Sequence, residues 1–288
     1  MTDTAISFEF FPPRSPEAEE RLWSVVRRLK PLGATFFSVT CGAGGSTKGP
    51  TLATLRHLAE ESGLPAAGHL TCVSAPKDEV DETIRDYWDV GVRHVVALRG
   101  DMPELGDPYV PHPDGYESSP DLIRAILDIR PFEISVAAYP QKHPESASPE
   151  ADIEMLKRKV DAGATRAITQ FCFENDAFSR LRERMDAAGL DHIPLVPGVM
   201  PTTNFDAVVR MADRCGASIP TWLRDRFAGL QDEPETRRVI AGIIAAQQIE
   251  DLRNEGFDTF HFYTLNQGDV AVAVCRLLGL GIPEVQVA

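Results

Sequence analysis

The sequence of 288 residues lacks the marks of several protein classes. Its five cysteines are dispersed without a Cys-x-x-Cys pair, and its seven histidines show no helical ligand spacing, so neither a disulfide framework nor a metal site is expected. No apolar run approaches the roughly 20 residues of a membrane span. Basic residues number 29 against 43 acidic ones, and the net charge of −14 argues against binding nucleic acid or an anionic membrane.

Several sequence motifs are also missing. There is no Walker P-loop, and no G-x-G-x-x-G follows an apolar run, so any dinucleotide would not be held in the Rossmann manner. No Ser/His/Asp order indicates acyl transfer. The first residues lack a basic segment followed by an apolar one, so no secretory signal is expected. The dispersed cysteines then indicate reduced thiols, and we expect a cytoplasmic protein.

What the sequence does contain is an alternation of short apolar runs with helix-like stretches. The runs lie at 6–11, 36–40, 66–72, 94–98, 133–138, 166–171, 193–199 and 259–265. The helical stretches lie at 16–32, 51–62, 76–90, 118–129, 149–162, 176–188, 205–215 and 235–255. Eight strand–helix units favour parallel strands joined by crossover helices. The fold class predicted is α/β, a single-domain (β/α)8 TIM barrel over residues 1–288, with its site at the carboxyl ends of the strands.

The first run places a carboxylate among aromatic residues. Ile6, Phe8 and Phe10 share one face of the strand, so Glu9 is expected to point into the barrel. A carboxyl group there is costly unless it is paired or protonated, and desolvation raises the pKa that a general acid requires. A structural ion pair is an equally good interpretation of this residue alone.

Further polar residues follow the other runs. A glycine-rich turn after Thr40 has backbone amides suited to a phosphate or a flat ring, although it is also typical of a tight βα turn. Arg99 and Asp101 end the fourth run, where they could bind a ligand or pair with each other. Gln170 in the sixth run is a two-way hydrogen bonder, whereas His261 in the eighth is interpreted as a packed strand residue.

On the helix at 149–162, Asp152, Met155 and Lys159 share one side, with Arg158 adjacent. The simplest interpretation of this helix is a solvated face with a Glu154–Arg158 pair. Taken together, the pattern predicts a barrel enzyme with a polar, planar, anionic ligand and one candidate acid.

Nine motifs in order across the chain resemble the methylenetetrahydrofolate reductase family. They are SFEFFPPR (7–14), SVTCGAGGS (38–46), HLTC (69–72), ALRGD (97–101), SVAAYP (135–140), KRKVDAGA (157–164), ITQFCF (168–173), PGVMP (197–201) and HFYTLN (261–266). The resemblance implies a barrel that binds FAD non-covalently and takes electrons from NADH or NADPH. It implies that 5,10-methylenetetrahydrofolate then occupies the same place and is reduced to 5-methyltetrahydrofolate. It further implies the short bacterial form, without a regulatory domain, and a homo-oligomer.

The resemblance also assigns roles to residues. Glu9 matches the acid that protonates N10 of the folate, Asp101 matches an acid near the flavin and the pterin, and Gln170 matches a substrate-orienting amide. Substrate contacts are implied for Glu9, Asp101, Gln170 and Tyr263. The positions implied to hold FAD are Thr40, Ala43, His69, Arg99, Gly100, Asp101, Tyr139, His143, Asp152, Arg158 and Lys159.

Two positions depart from the family pattern. Gln267 stands where the family commonly has Arg, and Ala207 stands where close bacterial relatives have Gln. Both changes remove folate contacts without touching the hydride chemistry. The alternatives are a flavin-free, pterin-binding methyltransferase barrel, against which Arg99-Gly100-Asp101 counts, and a catalytically silent scaffold, against which Glu9 counts.

Overall fold

The structure is a computed structural model that describes residues 4–42, 48–63, 65–102 and 108–280. Every strand pairing within these ranges is parallel. The strands are β1 (Ala5–Phe10), β2 (Phe37–Val39), β3 (Ala66–Thr71), β4 (His94–Leu98), β5 (Glu133–Ala138), β6 (Arg166–Thr169), β7 (Leu195–Val196), β8 (Gly198–Val199) and β9 (Thr259–Tyr263).

The sheet closes on itself. Its strand order is β7-β6-β5-β4-β3-β2-β1-β9-β8, and β7 and β8 are two halves of one barrel strand interrupted at Pro197. Proline has no N–H to give to the ladder, so the strand breaks there. The half before Pro197 pairs with β6 and the half after it pairs with β9. The predicted (β/α)8 barrel is thereby confirmed, with the seventh strand split where a single strand was expected.

Helices cover the outside of the barrel. They are α1 (Pro16–Leu29), α2 (Lys48–Glu61), α3 (Lys77–Asp89), α4 (Ser119–Ile129), α5 (Pro149–Asp161), α6 (Asn175–Ala187), α7 (Phe205–Cys215), α8 (Thr221–Phe227), α9 (Pro234–Asn254) and α10 (Asp269–Leu277). The short helix α8 is not predicted by the sequence, because its seven residues contain only two buried apolar positions, Leu223 and Phe227. None of the helices in the described ranges has both the length and the apolarity to cross a bilayer.

Local signals fix several of the helix ends. Ser15 and Ser148 accept hydrogen bonds from the main-chain N–H groups of Ala18 and Ala151, which lie three residues later. These are N-caps, followed in both helices by proline at the first helical position. The caps therefore set where α1 and α5 begin, and α5 carries part of the site described below.

The two faces of β1 lie as the alternation of apolar and polar residues in the sequence predicts. Ile6, Phe8 and Phe10 are at most 2% exposed and belong to the core between strands and helices, where Phe8 packs on Phe37 and Phe262. The intervening Ser7 and Glu9 face the barrel interior. A second, smaller apolar cluster, separate from the main core, consists of Phe36, Ala67, Val96, Ile168 and Val196.

Candidate active site

A carboxyl group lies between two buried imidazoles near the carboxyl end of β1. Glu9 Oε2 is 3.3 Å from Nε2 of His69 on β3 and 3.6 Å from Nε2 of His261 on β9. The side-chain exposures are 13% for Glu9, 9% for His69 and 1% for His261. Thr264 Oγ1 donates to the main-chain oxygen of Glu9 (2.6 Å), which fixes the backbone below this carboxyl group.

His261 is held from behind by a serine. Its Nδ1 lies 2.7 Å from Ser7 Oγ, and that hydroxyl also donates to the carbonyl oxygen of Phe260 (3.4 Å). In the sheet, Ser7 is opposite His261 and Glu9 is opposite Tyr263. The interpretation of His261 as a packed strand residue describes its burial but misses its contact with Glu9. The signal that could have found it is this register, because closure of an eight-stranded barrel makes the first and last strands neighbours.

His69 presents a buried polar atom that the surrounding protein leaves without a hydrogen bond. Within the described residues, its Nε2 has no partner in hydrogen-bonding geometry, although Glu9 is nearby. Burial lowers the pKa of His69, and the nearby Glu9 only partly opposes this effect. A buried polar atom without a partner is costly, so this edge of the imidazole is suited to a ligand.

Tyr263 lies beside Glu9, as its partner residue in the pairing of β1 with β9. Its hydroxyl donates to the carbonyl oxygen of Thr169 (2.7 Å), and burial raises its pKa well above the usual value. Its ring covers Gly198, where a Cβ atom would lie 2.5 Å from the ring and 2.3 Å from the Thr169 oxygen. Only glycine fits there, and the ring is locked in place.

A guanidinium group lies at the end of β4. Arg99 Nη1 is 2.6 Å from Glu145 Oε2, its Nε donates to the carbonyl oxygen of Gly100 (3.2 Å), and its plane covers the Tyr109 ring at 4.4 Å. These contacts correct one alternative, since the ion pair of Arg99 is with Glu145 and not with the exposed Asp101. Glu145 was missed because it lies in a loop 46 residues away with no pattern of its own.

The start of α5 and the loop before it add further polar groups. Asp152 accepts hydrogen bonds from the His143 main-chain N–H (2.9 Å) and from Ser146. Lys159 is 8% exposed and donates to the carbonyl oxygen of Ala137 (2.9 Å). Its burial lowers its pKa to about 8, whereas Asp152 acts in the opposite direction. The side of α5 that carries Lys159 is therefore turned inward, whereas Glu154 and Arg158 are exposed, as the simplest interpretation of the helix expects.

Electrostatic interactions connect the residues at the end of β4 with the polar residues of α5 and of the loop before it. Asp101 and Arg99 both affect the pKa of Tyr139, which burial raises above its usual value. Arg99 also affects the pKa values of His143 and Lys159, both of which burial lowers. We call Arg99, Asp101, Tyr139, His143, Asp152 and Lys159 the rim cluster.

The remaining predicted site residues are Thr40, Gln170, Arg158, Ala43 and Gly100. Thr40 is joined to β1 by its N–H, which donates to the Phe10 carbonyl oxygen (2.9 Å). Gln170 follows β6, and its side-chain oxygen accepts from the Phe171 N–H (3.1 Å). Arg158 is exposed on α5, one residue before the buried Lys159. Ala43 lies outside the described residues. Gly100 has φ +86°, and a Cβ atom there would be 2.4 Å from Val73.

This arrangement combines a sheltered acid, an imidazole whose Nε2 has no hydrogen-bond partner among the described residues, and a rim where Arg99 and Lys159 lie among carboxylates. A carboxylate and two histidines could suggest a metal centre, but no group of side chains in the described ranges has the arrangement to hold an ion. Positive charge is instead supplied by Arg99 and Lys159, which suit a planar ligand with anionic groups. The fold and the site thus define a (β/α)8 barrel protein with a sheltered carboxyl group at its mouth and two cations, Arg99 and Lys159, at its rim.

Sequence comparison identifies the family within that class. The family described as methylenetetrahydrofolate reductase matches residues 1–279, and the chain belongs to it. The chain is 44% identical over 275 residues to 5,10-methylenetetrahydrofolate reductase of Escherichia coli (strain K12), covering 96% of this chain and 90% of that protein. It is 34% identical to "Methylenetetrahydrofolate reductase (NADH) 1" of Arabidopsis thaliana, covering 96% of this chain and 48% of that protein.

A solved structure shows the same fold at low sequence identity. It is a Clostridium thermocellum protein described as binding two copies of 5-methyl-5,6,7,8-tetrahydrofolic acid, with a TM-score of 0.62 and 14% identity. The match covers 95% of this chain and 93% of that chain. The barrel assignment is thereby supported from outside the sequence family.

Proposed function

We propose that this protein reduces 5,10-methylenetetrahydrofolate to 5-methyltetrahydrofolate, with non-covalently bound FAD and with NADH or NADPH as the electron donor. The two substrates would occupy the same place in turn, in a ping-pong sequence. Family membership and the names of the relatives support the reaction. The observation that carries the proposal is Glu9, a sheltered carboxyl group that lies between two imidazoles at the barrel mouth.

Glu9 would serve as the acid. The five-membered ring that bridges N5 and N10 of the folate must open before hydride can reach the methylene carbon. Protonation of N10 by Glu9 makes it a leaving group and produces an electrophilic iminium at N5. The low exposure of Glu9 keeps this proton transfer away from bulk water, and the Thr264 hydrogen bond keeps the backbone of the acid in place.

The residues present fit FAD. His69 has a buried Nε2 without a hydrogen-bond partner in the described part of the chain, as a contact site for a bound ring would require. Arg99 and Lys159 offer cations for two phosphates, and the observed bonds of Arg99 use only two of its five N–H donors. We propose that Thr40, Ala43, His69, Gly100, Arg158 and the rim cluster hold this cofactor. The chemistry that FAD supplies when bound is to accept a hydride from the nicotinamide and to give it to the folate.

Three further residues would act on the folate. The exposed carboxylate of Asp101 would stabilise the cationic iminium, a charge that develops only as the ring opens. Gln170 would orient the substrate through its amide group, which can both donate and accept. Tyr263 would offer a fixed ring face, because its hydroxyl is bonded to Thr169.

We also expect a cytoplasmic homo-oligomer. Cys72, Cys172, Cys215 and Cys275 are free thiols, as is usual in a reducing compartment. Trp222, Val239 and Ile243 are 45%, 62% and 58% exposed on neighbouring helices, and an apolar surface of this kind commonly lies in a subunit interface. Analytical ultracentrifugation would test the oligomer, and a monomer at micromolar concentration would contradict it.

Anaerobic stopped-flow absorbance of the purified protein tests the proposed function. The expected result is a bound flavin whose absorbance is bleached by NADH or NADPH and restored by 5,10-methylenetetrahydrofolate, with 5-methyltetrahydrofolate as the product. A protein that takes up no FAD would overturn the flavin part of the proposal. Methyl transfer to an acceptor without any nicotinamide would favour the methyltransferase alternative.

A further inference from the structure

We propose that Phe11 is a folate-contacting residue at the barrel mouth and that Asn266 is a positioning residue that holds it there. The contact is with the benzoyl ring that is bonded to N10 of the folate. The inference rests on the proposed function for the identity of this ligand. Its basis is a pair of hydrogen bonds that joins the segment after β1 to the segment after β9.

The side chain of Asn266 continues the hydrogen-bond ladder between β1 and β9. The two strands are paired as far as Glu9 and Tyr263. Beyond this point Asn266 Oδ1 accepts from the main-chain N–H of Phe11 (2.9 Å), and Asn266 Nδ2 donates to the carbonyl oxygen of Phe11 (3.0 Å). Both main-chain groups of Phe11 are therefore bound on the side of β9, as they would be in a longer parallel ladder.

These bonds also show where the Phe11 side chain points. The main-chain oxygen of Glu9 accepts from Thr264 on the side of β9, whereas that of Phe10 accepts from the Thr40 N–H on the side of β2. Residues that bond to the same neighbouring strand lie two apart, and their side chains project from the same face. Phe11 thus shares the inward face of Glu9 and lies about 6.6 Å further along the chain, toward the mouth.

The backbone that brings Asn266 to this position is strained. Leu265 and Asn266 have φ values of +49° and +58°, in the left-handed region that residues other than glycine rarely adopt. The Thr264 hydroxyl oxygen accepts from the Asn266 N–H (3.1 Å). The Thr203 hydroxyl donates to Gln267 Oε1 (2.8 Å). Strain of this kind persists where the surrounding contacts hold the conformation, and it is commonly found at ligand sites.

The Phe11 residue is fixed at its backbone but open at its ring. The side chain is 40% exposed and belongs to neither apolar cluster of the described residues. Pro12 adds to the fixation, because a residue before proline is restricted to extended conformations. A ring on a fixed backbone has little conformational entropy left to lose when a ligand packs against it.

The chemistry of the substrate accounts for an aromatic surface at this point. Glu9 is proposed to protonate N10, and N10 is bonded directly to the benzoyl ring. The glutamate tail beyond that ring is anionic and favours water, so the ring and the tail extend out of the mouth. Phe11 is the next side chain on that face of β1. An offset or edge-to-face contact between the two rings is more favourable than exposure of both to water.

Isothermal titration calorimetry of the protein with FAD separates a ring contact from a general loss of structure. One probe is 5-methyltetrahydrofolate, which has the benzoyl ring, and the other is 6-methyltetrahydropterin, which lacks it. Phe11→Ala should raise the dissociation constant of the first probe about tenfold and leave that of the second unchanged. Phe11→Tyr keeps the ring and should bind both probes normally. Leu277→Ala, which removes an exposed apolar side chain at the end of α10, should change neither constant.

Asn266→Gly tests the positioning part of the inference. Glycine adopts the left-handed conformation without strain but has no amide group to bind Phe11. The variant should lose affinity for 5-methyltetrahydrofolate as Phe11→Ala does. The double variant should lose no more than either single variant, because both changes remove the same contact. Ser74→Gly is the control, since Ser74 is an exposed residue with φ +56° and the change should leave both constants as they are.

The outcomes distinguish the inference from the proposed function. Folate affinity and reduction that are unchanged in Phe11→Ala, or an equal loss of affinity for both probes, would overturn the contact alone. Additive losses in the double variant would overturn the positioning role of Asn266. An unmodified protein that neither binds nor reduces folate would overturn the proposed function and the inference with it. Should Phe11→Ala fail to fold, Asn266→Gly with the two probes carries the test.

Discussion

Replacing Lys159 with methionine should stabilise the protein while weakening its hold on FAD. The ammonium group is buried on α5, and its Nζ donates to the Ala137 carbonyl oxygen. Burial lowers its pKa from 10.5 to about 8, despite the favourable charge of Asp152. Methionine has nearly the same length and flexibility but no charge to desolvate.

The magnitude follows from the two protonation equilibria. A pKa lowered from 10.5 to about 8 means that burying the charged form costs about 3 kcal/mol at pH 7. Loss of the hydrogen bond to Ala137 offsets about 1 kcal/mol of this. Lys159→Met should therefore raise the free energy of unfolding at pH 7 by about 2 kcal/mol.

The pH dependence has a definite sign. Between pH 8 and 10.5 the folded protein has released the Lys159 proton while the unfolded chain still holds it, so the unmodified protein gains stability as pH rises. The variant lacks this gain. Its advantage should therefore be largest at pH 7 and should shrink across that window.

Urea unfolding of the FAD-free protein from pH 7 to 10 measures these differences. Lys157→Met is the matched control, because Lys157 is an exposed lysine on the same helix. Titration with FAD should show an affinity lowered about 10- to 100-fold by Lys159→Met, the effect of one charge-assisted hydrogen bond. A variant that is less stable than the unmodified protein at pH 7, or that keeps the same pH slope, would show that the buried charge of Lys159 does not destabilise the fold.

Three further substitutions test other parts of the site. Glu9→Gln should slow folate reduction about 10²- to 10⁴-fold in stopped-flow traces while nicotinamide-driven flavin reduction persists. The control Glu133→Gln, at the opposite end of the barrel, should change neither half-reaction. Equal loss of both half-reactions in Glu9→Gln would point to a folding role for Glu9. Asp101→Asn should make the flavin easier to reduce and slow folate reduction about tenfold; an unchanged midpoint potential would contradict its place beside the flavin. Gly198→Ala should lower the free energy of unfolding, measured in urea, by about 1–3 kcal/mol and should weaken folate binding, because its Cβ atom would displace the Tyr263 ring. An unchanged free energy of unfolding and an unchanged folate affinity would show that the strand accommodates the Cβ atom without strain.

Much of the fold was predictable because its signals are local. The alternation in β1 depends only on neighbouring residues, and the serine caps of α1 and α5 act within one turn. The split of the seventh strand at Pro197 is also a local effect, and proline in a central strand is a usable signal for it. The helix α8 could not be predicted, since a helix of seven residues shows too little periodicity and depends on packing.

The site was predictable in part. Glu9 and the residues at the ends of β3 to β6 could be proposed from strand alternation and from the family motifs. The pairing of Arg99 with Glu145 could not, because the two are far apart in sequence and meet only when the loops fold over the rim. Likewise, Arg158 and Lys159 are equivalent in sequence, yet one is exposed and the other buried, since the orientation of α5 against the barrel separates them.

Parallel strands, helices between them and an inward-facing Glu9 could all be inferred from the amino-acid sequence. These features follow from the alternation of apolar residues, which acts over a few positions at a time. The groups that surround that acid depend instead on how distant parts of the chain pack together. Closure of the barrel brings β9 against β1, and this contact between the two ends of the chain places His261 next to Glu9 and within 2.7 Å of Ser7.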